Sequence, residues 1–71
     1  MDKNLTIRQT EIAGLVARGL SDKVIAARTE LAIDTVRVHI QAAAARLPGN
    51  GSPRHKLTLW FFNIVDEEKA G

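Results

Sequence analysis

The chain has 71 residues and carries ten Lys and Arg against eight Asp and Glu, a formal net charge of +2. This length predicts one small domain over residues 1–71, with no room for a separate ligand-binding or phosphoryl-accepting domain. Because the chain has no cysteine and only two histidines, disulfides and thiolate metal sites are excluded, and we expect neither a metal nor a cofactor.

The N-terminus lacks the apolar stretch of a signal peptide, and no run of about 18 apolar residues is present. We therefore expect a soluble, cytoplasmic protein. The charge is unevenly distributed, since Asp66, Glu67 and Glu68 lie together in a predicted acidic tail at 66–71. Residues 1–65 carry nine Lys and Arg against five Asp and Glu, and this basic excess favours a nucleic-acid partner.

The first predicted helix covers residues 7–18. It begins after Thr6, which has capping-box spacing to Gln9, and Gly19 supplies the left-handed position that ends such a helix. The inward side is a stripe with i, i+3, i+4 spacing, made of Ile12, Leu15 and Val16.

A second predicted helix covers residues 22–29 and starts after the N-cap residue Ser21. Asp22 lies in its first turn, where the positive end of the helix favours a carboxylate. Val24 and Ile25 are predicted to point inward. A three-residue turn then leads to a third helix, so the region has the pattern of a helix-turn-helix.

The third helix is predicted over residues 33–47 and is stopped by Pro48 and Gly49. Its inward face, at i, i+4, i+7 and i+11, consists of Val36, Ile40, Ala43 and Leu47. The opposite face consists of Asp34, Arg37, Val38, Gln41 and Ala45. One flank holds Thr35, His39 and Arg46.

A fourth helix is predicted over residues 53–65, with Ser52 as its N-cap and Pro53 in its first position. One apolar stripe contains Leu57, Trp60, Phe61 and Ile64. A second contains Leu59, Phe62 and Val65. A small domain can bury one stripe, so the second indicates a partner. The same segment is rich in strand formers and is also compatible with the wing strand of a winged helix; the Ser-Pro start and the length favour the helix.

In order along the chain, these residues resemble the DNA-binding domain of the LuxR/GerE-type regulators. The resemblance extends from residue 5 to the fourth helix. Because we see no attached effector domain, the type that the chain resembles is the stand-alone GerE type. The matching residues are Leu5, Thr6, Arg8, Glu11, Ile12, Leu15, Val16, Ala17, Gly19, Leu20, Ser21, Lys23, Ile25, Ala26, Leu31, Thr35, Val36, Arg37, His39, Ile40, Arg46, Leu47 and Arg54.

The resemblance implies an all-α domain of four helices, in which the third enters the major groove and the fourth forms a two-fold dimer. It implies base contacts from Arg37, Val38 and Gln41, which are also on the exposed face deduced from the helical spacing. The predicted DNA-backbone contacts are Lys23, Arg28, Thr35, His39 and Arg46. The predicted dimer contacts are Leu59, Trp60, Phe62 and Val65.

The chain also departs from the family pattern. Ala32 replaces the usual Ser cap of the recognition helix, which should lower stability by about 1 kcal/mol. Gln41 stands where a basic residue is frequent, and Gln reads adenine whereas Lys prefers guanine. Ala43 replaces a bulky core residue, and Trp60 or Phe61 is expected to fill that space.

Three residues of the third helix have two readings each. Arg37 is expected to donate to guanine or phosphate, although a solvated arginine would have the same spacing. His39 fits a phosphate contact or a half-buried packing position equally well. Asp34 either stabilises the positive N-terminal end of the helix or accepts a hydrogen bond from a cytosine amino group, and we prefer the first interpretation.

The predicted function is a bacterial or phage transcriptional regulator that binds double-stranded DNA as a homodimer. The alternative is an interaction module that pairs through the fourth helix with a larger regulator or an RNA polymerase subunit. A domain like region four of a sigma factor is a third candidate, but the Gly19-Leu20-Ser21 spacing fits it less well than it fits the LuxR/GerE pattern. An enzyme using Glu11 and His39 is not expected, because no nucleophile constellation or substrate pocket is indicated.

Overall fold

A computed structural model describes the backbone of residues 5–70 and the side chains of residues 5–63. The described residues form four helices and no strand, which confirms the all-α prediction and excludes the wing strand. The helices are α1 (Ile7–Ala17), α2 (Asp22–Thr29), α3 (Ile33–Ala45) and α4 (Pro53–Ala70).

Three of the four helices begin with a side-chain cap. In α1, the Thr6 hydroxyl accepts from the Gln9 amide at 3.1 Å and the Gln9 side chain accepts from the Thr6 amide at 3.0 Å. Ser21 and Ser52 each accept from the amide three residues further on, at 3.2 Å. Ala32 makes no such bond. The caps therefore form where the spacing predicts them, and α3 starts without one.

All four helices contribute to one core. Ile12 of α1, Ile25 of α2, Val36 of α3 and Leu57 of α4 are its largest fully buried side chains. The predicted inward face of α3 is confirmed, because all four of its members are buried. The apolar side chains of each helix are covered only because the other helices pack against them.

Two side chains that were predicted to point into the core are not fully buried. Val24 is 41% exposed, because α2 buries only the single row of Ile25 and Thr29, spaced i, i+4. Thr29 is polar but buried, and its hydroxyl has a hydrogen-bond partner because it donates to the Ile25 carbonyl at 2.8 Å. Leu15 is half-buried and packs at the edge of the core.

Two helix ends differ from the prediction by two residues or more. The α-helical part of α3 ends at Ala45 rather than at Leu47, because the last two amides bond to carbonyls three residues back and tighten the final turn. The backbone of α4 continues to Ala70, so most of the predicted acidic tail at 66–71 is helical. No proline or glycine interrupts residues 54–70, and nothing in the sequence therefore ends the helix at 65.

The fourth helix packs across α1 and α3. Trp60 packs against the core that contains the fully buried Ala43. Phe61 instead contacts α1, where a Cβ atom built on Gly14 would lie 3.1 Å from Cε1 of its ring. α4 thus approaches α1 so closely at this point that only glycine fits without a shift. Ile64, predicted for the same stripe, lies outside the described side chains.

Candidate nucleic-acid interface

The turn between α2 and α3 is three residues long, as the spacing predicts. It begins at Glu30, which has the left-handed backbone conformation (φ 60°) that usually ends a helix at glycine. The amide of Leu31 then donates to the Ala26 carbonyl at 3.1 Å, and the Leu31 side chain packs against the core. These contacts fix the direction in which α3 leaves the turn.

The outward face of α3 is exposed along its whole length. Each residue that the helical spacing placed there is exposed, including Val38 at 63% and Arg37, whose side chain is 57% exposed. The complete set is Asp34, Arg37, Val38, Gln41 and Ala45. A rigid helix therefore presents two polar side chains and a valine side by side, while its other face is held in the core.

Most of the residues predicted to contact the DNA backbone are accessible to solvent. Lys23, Arg28, Thr35 and Arg46 are exposed, whereas His39 is half-buried. Glu11, the other member of the acid/base pair considered above, is instead paired with Arg8 at 3.3 Å.

One feature of this surface did not follow from the sequence. Asp22, at the start of α2, accepts from Nε of Arg37 in α3 at 3.2 Å and from Nη1 of Arg54 in α4 at 2.6 Å. Arg54 also donates through Nη2 to the Leu20 carbonyl. A single carboxylate therefore joins the outward face of α3 to the start of α4, and Arg37 is ion-paired rather than freely solvated.

No local pattern in the sequence predicts this cluster. Arg37 and Arg54 lie 15 and 32 residues after Asp22, too far for a local pattern to connect them.

The three residues line an open groove of about 340 Å³ between α3 and the start of α4. Its remaining lining residues are Ile40, Gln41, Ser52 and Pro53.

A second exposed surface lies on α4 and is apolar. Leu59 is 52% and Phe62 is 51% exposed. The Phe62 ring meets Phe61 edge to face, with 6.3 Å between ring centroids. Of the other two predicted dimer residues, Trp60 is half-buried against the core, and Val65 lies outside the described side chains.

Comparison with protein families tests the overall identification. The family of bacterial regulatory proteins known as the luxR family matches residues 3–51, more than half of the chain. The chain belongs to the LuxR family. Its members are DNA-binding transcription regulators with a helix-turn-helix, not enzymes, and the resemblance to this family is confirmed over residues 3–51.

The LuxR-family match includes α1, α2 and α3 and stops two residues before α4. No curated protein and no solved structure was found to match the chain. None of the helices in the described part of the chain has both the length and the apolar character needed to cross a bilayer. The family match thus covers α1, α2 and α3 but not α4.

Proposed function

We propose that this LuxR-family chain is a sequence-specific transcriptional regulator that acts as a homodimer. In this proposal α3 lies in the major groove and α4 forms the two-fold contact. The observation that carries it is the outward face of α3, where Arg37, Val38 and Gln41 are exposed on the second helix of a helix-turn-helix. In such motifs it is the second helix that reads base edges.

Each of the three residues has a chemistry suited to a base edge. The Arg37 guanidinium matches the two acceptors of guanine, and the Gln41 amide matches the donor and acceptor of adenine. Val38 offers an apolar surface to the methyl group of thymine. Because they occupy positions i, i+1 and i+4, they lie on neighbouring parts of the helix surface, within reach of consecutive base pairs.

The surrounding side chains suit the sugar–phosphate backbone. Lys23, Arg28 and Arg46 are exposed cations, and Thr35 is an exposed hydroxyl in the first turn of α3. Contacts of this kind set affinity and register and carry no direct sequence information. His39 is assigned the weaker role of a backbone contact, because it is half-buried beside this surface.

The dimer proposal is based on α4. Leu59 and Phe62 are half exposed and follow one side of the helix at i, i+3 spacing, so a second copy of α4 would remove both from water. Trp60 lies beside them with part of its surface accessible. A two-fold dimer of this kind would place two α3 helices at half-sites about one turn of DNA apart.

Selection of random duplex DNA by the purified protein, followed by sequencing, tests the proposal. We expect a two-fold symmetric motif whose half-sites lie about 10 base pairs apart, centre to centre. An asymmetric motif would support sequence-specific DNA binding but contradict the homodimer.

The alternative is an interaction module that uses α4 to pair with a larger regulator or an RNA polymerase subunit. The same exposed Leu59 and Phe62 favour it, as does the end of the family match before α4. It predicts no enriched motif at moderate salt and a stable complex with the partner. Strong enrichment by the protein alone would exclude it as the main function.

A further inference from the structure

Asp22 differs from the other charged residues of the interface because each of its oxygens serves a different helix. Oδ1 accepts from Arg54 at 2.6 Å and Oδ2 from Nε of Arg37 at 3.2 Å. Arg54 is in turn bonded to the Leu20 carbonyl. The carboxylate is thus held on one side by an arginine that is anchored to the main chain, and it turns its other side to Arg37.

We propose that Asp22 is a positioning residue for Arg37, fixing the plane of its guanidinium before DNA arrives. This inference rests on the proposed function, because it requires Arg37 to read a base. In the described residues only Nε of Arg37 donates a hydrogen bond to the protein. The Nη1 and Nη2 groups make no hydrogen bond there, and the ion-pair contact of Nη1 with Asp34 is long, at 4.0 Å. They therefore form a fork, which is the edge that matches O6 and N7 of guanine.

The exposure of the pair indicates orientation rather than stability as its role. The Arg37 side chain is 57% exposed and that of Asp22 is 27% exposed, and ion pairs this open to water contribute little to folding. A free arginine, in contrast, has many rotamers to lose when it binds. Holding one of them in advance lowers the entropy that specific binding has to remove.

The charge of Asp22 acts in the same direction. A carboxylate beside the guanidinium opposes attraction to any phosphate, whichever sequence carries it. It leaves the hydrogen-bonding fork intact, so base reading is retained while general attraction is reduced. Because the pre-oriented guanidinium favours the operator and the negative charge disfavours every duplex, Asp22 should raise the ratio of specific to non-specific affinity.

The chain offers a matched control in Asp34. Its Oδ1 atom lies 4.0 Å from Nη1 of Arg37, its side chain is 91% exposed, and it makes no hydrogen bond to Arg37. Asp22→Asn and Asp34→Asn remove the same charge from the same neighbourhood. Only the first removes the carboxylate that orients Nε, so comparison of the two separates orientation from charge.

The test measures binding of each variant to the selected operator and to an unrelated duplex at one salt concentration. We expect Asp34→Asn to raise both affinities by a similar factor and to leave their ratio unchanged. Asp22→Asn should raise binding to the unrelated duplex and lower the ratio about three- to tenfold. A repeated selection with Asp22→Asn should show weaker preference at one base position of each half-site.

A second readout does not involve DNA. In the free protein, the Nε–H signal of Arg37 in an NMR spectrum should exchange slowly with water. The signal should exchange faster in Asp22→Asn and remain unchanged in Asp34→Asn. Thermal melting followed by circular dichroism checks that the variants are folded. If Asp22→Asn unfolds, Arg54→Lys takes its place, since it weakens the anchor of Asp22 and predicts the same loss.

The possible results distinguish a failure of the inference about Asp22 from a failure of the proposed function. If the wild type selects a motif but both aspartate variants change the two affinities alike, or Nε–H exchange is the same in all three proteins, Asp22 does not position Arg37 and the proposed function stands. If the wild type selects no motif, the proposed function fails and this inference fails with it.

Discussion

The two long helices of this domain, α3 and α4, each bury one face and expose the other, but the exposed faces have opposite chemistry. The outward side of α3 carries Arg37 and Gln41, polar side chains that remain exposed to water in the free protein. The outward side of α4 carries Leu59 and Phe62, both about half exposed. The same degree of exposure therefore indicates different partners, a hydrated polyanion for α3 and an apolar protein surface for α4.

The helices also differ in how they start. Ser52 caps α4, whereas Ala32 leaves the first amides of α3 without a side-chain acceptor. A capped helix is more stable in isolation, and an uncapped one relies more on the core behind it. In this chain the helix proposed to read DNA is the one with the weaker start.

The largest effect should come from a charge on the apolar face of α4. Phe62→Glu places a carboxylate at the centre of the proposed dimer contact and should weaken dimerisation by about 2–4 kcal/mol. The monomer should stay folded, because Phe62 is 51% exposed. Analytical ultracentrifugation of both proteins over a range of concentrations measures the change.

Asn63→Glu is the control, because Asn63 is exposed and polar in the next position of the same helix. It adds the same charge without replacing an apolar side chain, so we expect a much smaller change in association. Equal effects of the two substitutions would show that charge repulsion, and not loss of the apolar contact, explains the result.

The next effect concerns α3. Arg37→Ala removes the guanidinium fork and should reduce binding to the selected operator by about 1–3 kcal/mol, with relaxed preference at one base position. Fluorescence anisotropy with the operator and with single-base variants measures both quantities. An unchanged affinity for the operator would remove Arg37 from the base-reading role.

Lys23→Ala should behave differently, because Lys23 is assigned to the DNA backbone. We expect operator and unrelated duplex to lose affinity by similar factors, and the slope of log affinity against log salt to decrease by about one. A change of base preference in this variant would move Lys23 to the base-reading group.

The smallest effects concern the helix starts. Ala32→Ser should supply the missing cap of α3 and raise the free energy of unfolding by about 1 kcal/mol, and Ser52→Ala should lower it by a similar amount. Urea denaturation measures both. Ala42→Ser is the control, since Ala42 is exposed within α3 and serine there should be slightly destabilising. A stabilising Ala42→Ser would mean that the gain at position 32 does not come from capping.

The features that were predicted from the sequence are those set by residues close together in the chain. Thr6 and Gln9 form a capping box because they are three residues apart, and the buried row of α3 follows from the helical repeat. The outward position of Arg37, Val38 and Gln41 follows from the same repeat. Their contact with DNA stays a prediction.

The features that were missed depend on how the helices pack. No local spacing connects Asp22 to Arg54, and their contact exists only because the packing of α4 on α1 and α3 brings its first turn within side-chain reach of the start of α2. Val24 was wrongly placed inside because the sequence does not show how narrow the buried side of α2 is. The length of α4 was underestimated because an acidic composition was interpreted as a tail, although it contains no helix-breaking residue.

The close approach of α1 and α4 at Gly14 also bears on the proposed dimer surface. A Cβ atom at position 14 would lie 3.1 Å from the Phe61 ring, and Phe61 is itself packed edge to face with Phe62. Gly14→Ala would therefore require the ring to give way by a few tenths of an ångström. The position of an aromatic ring beside the proposed dimer surface thus depends on the absence of one methyl group on the neighbouring helix α1.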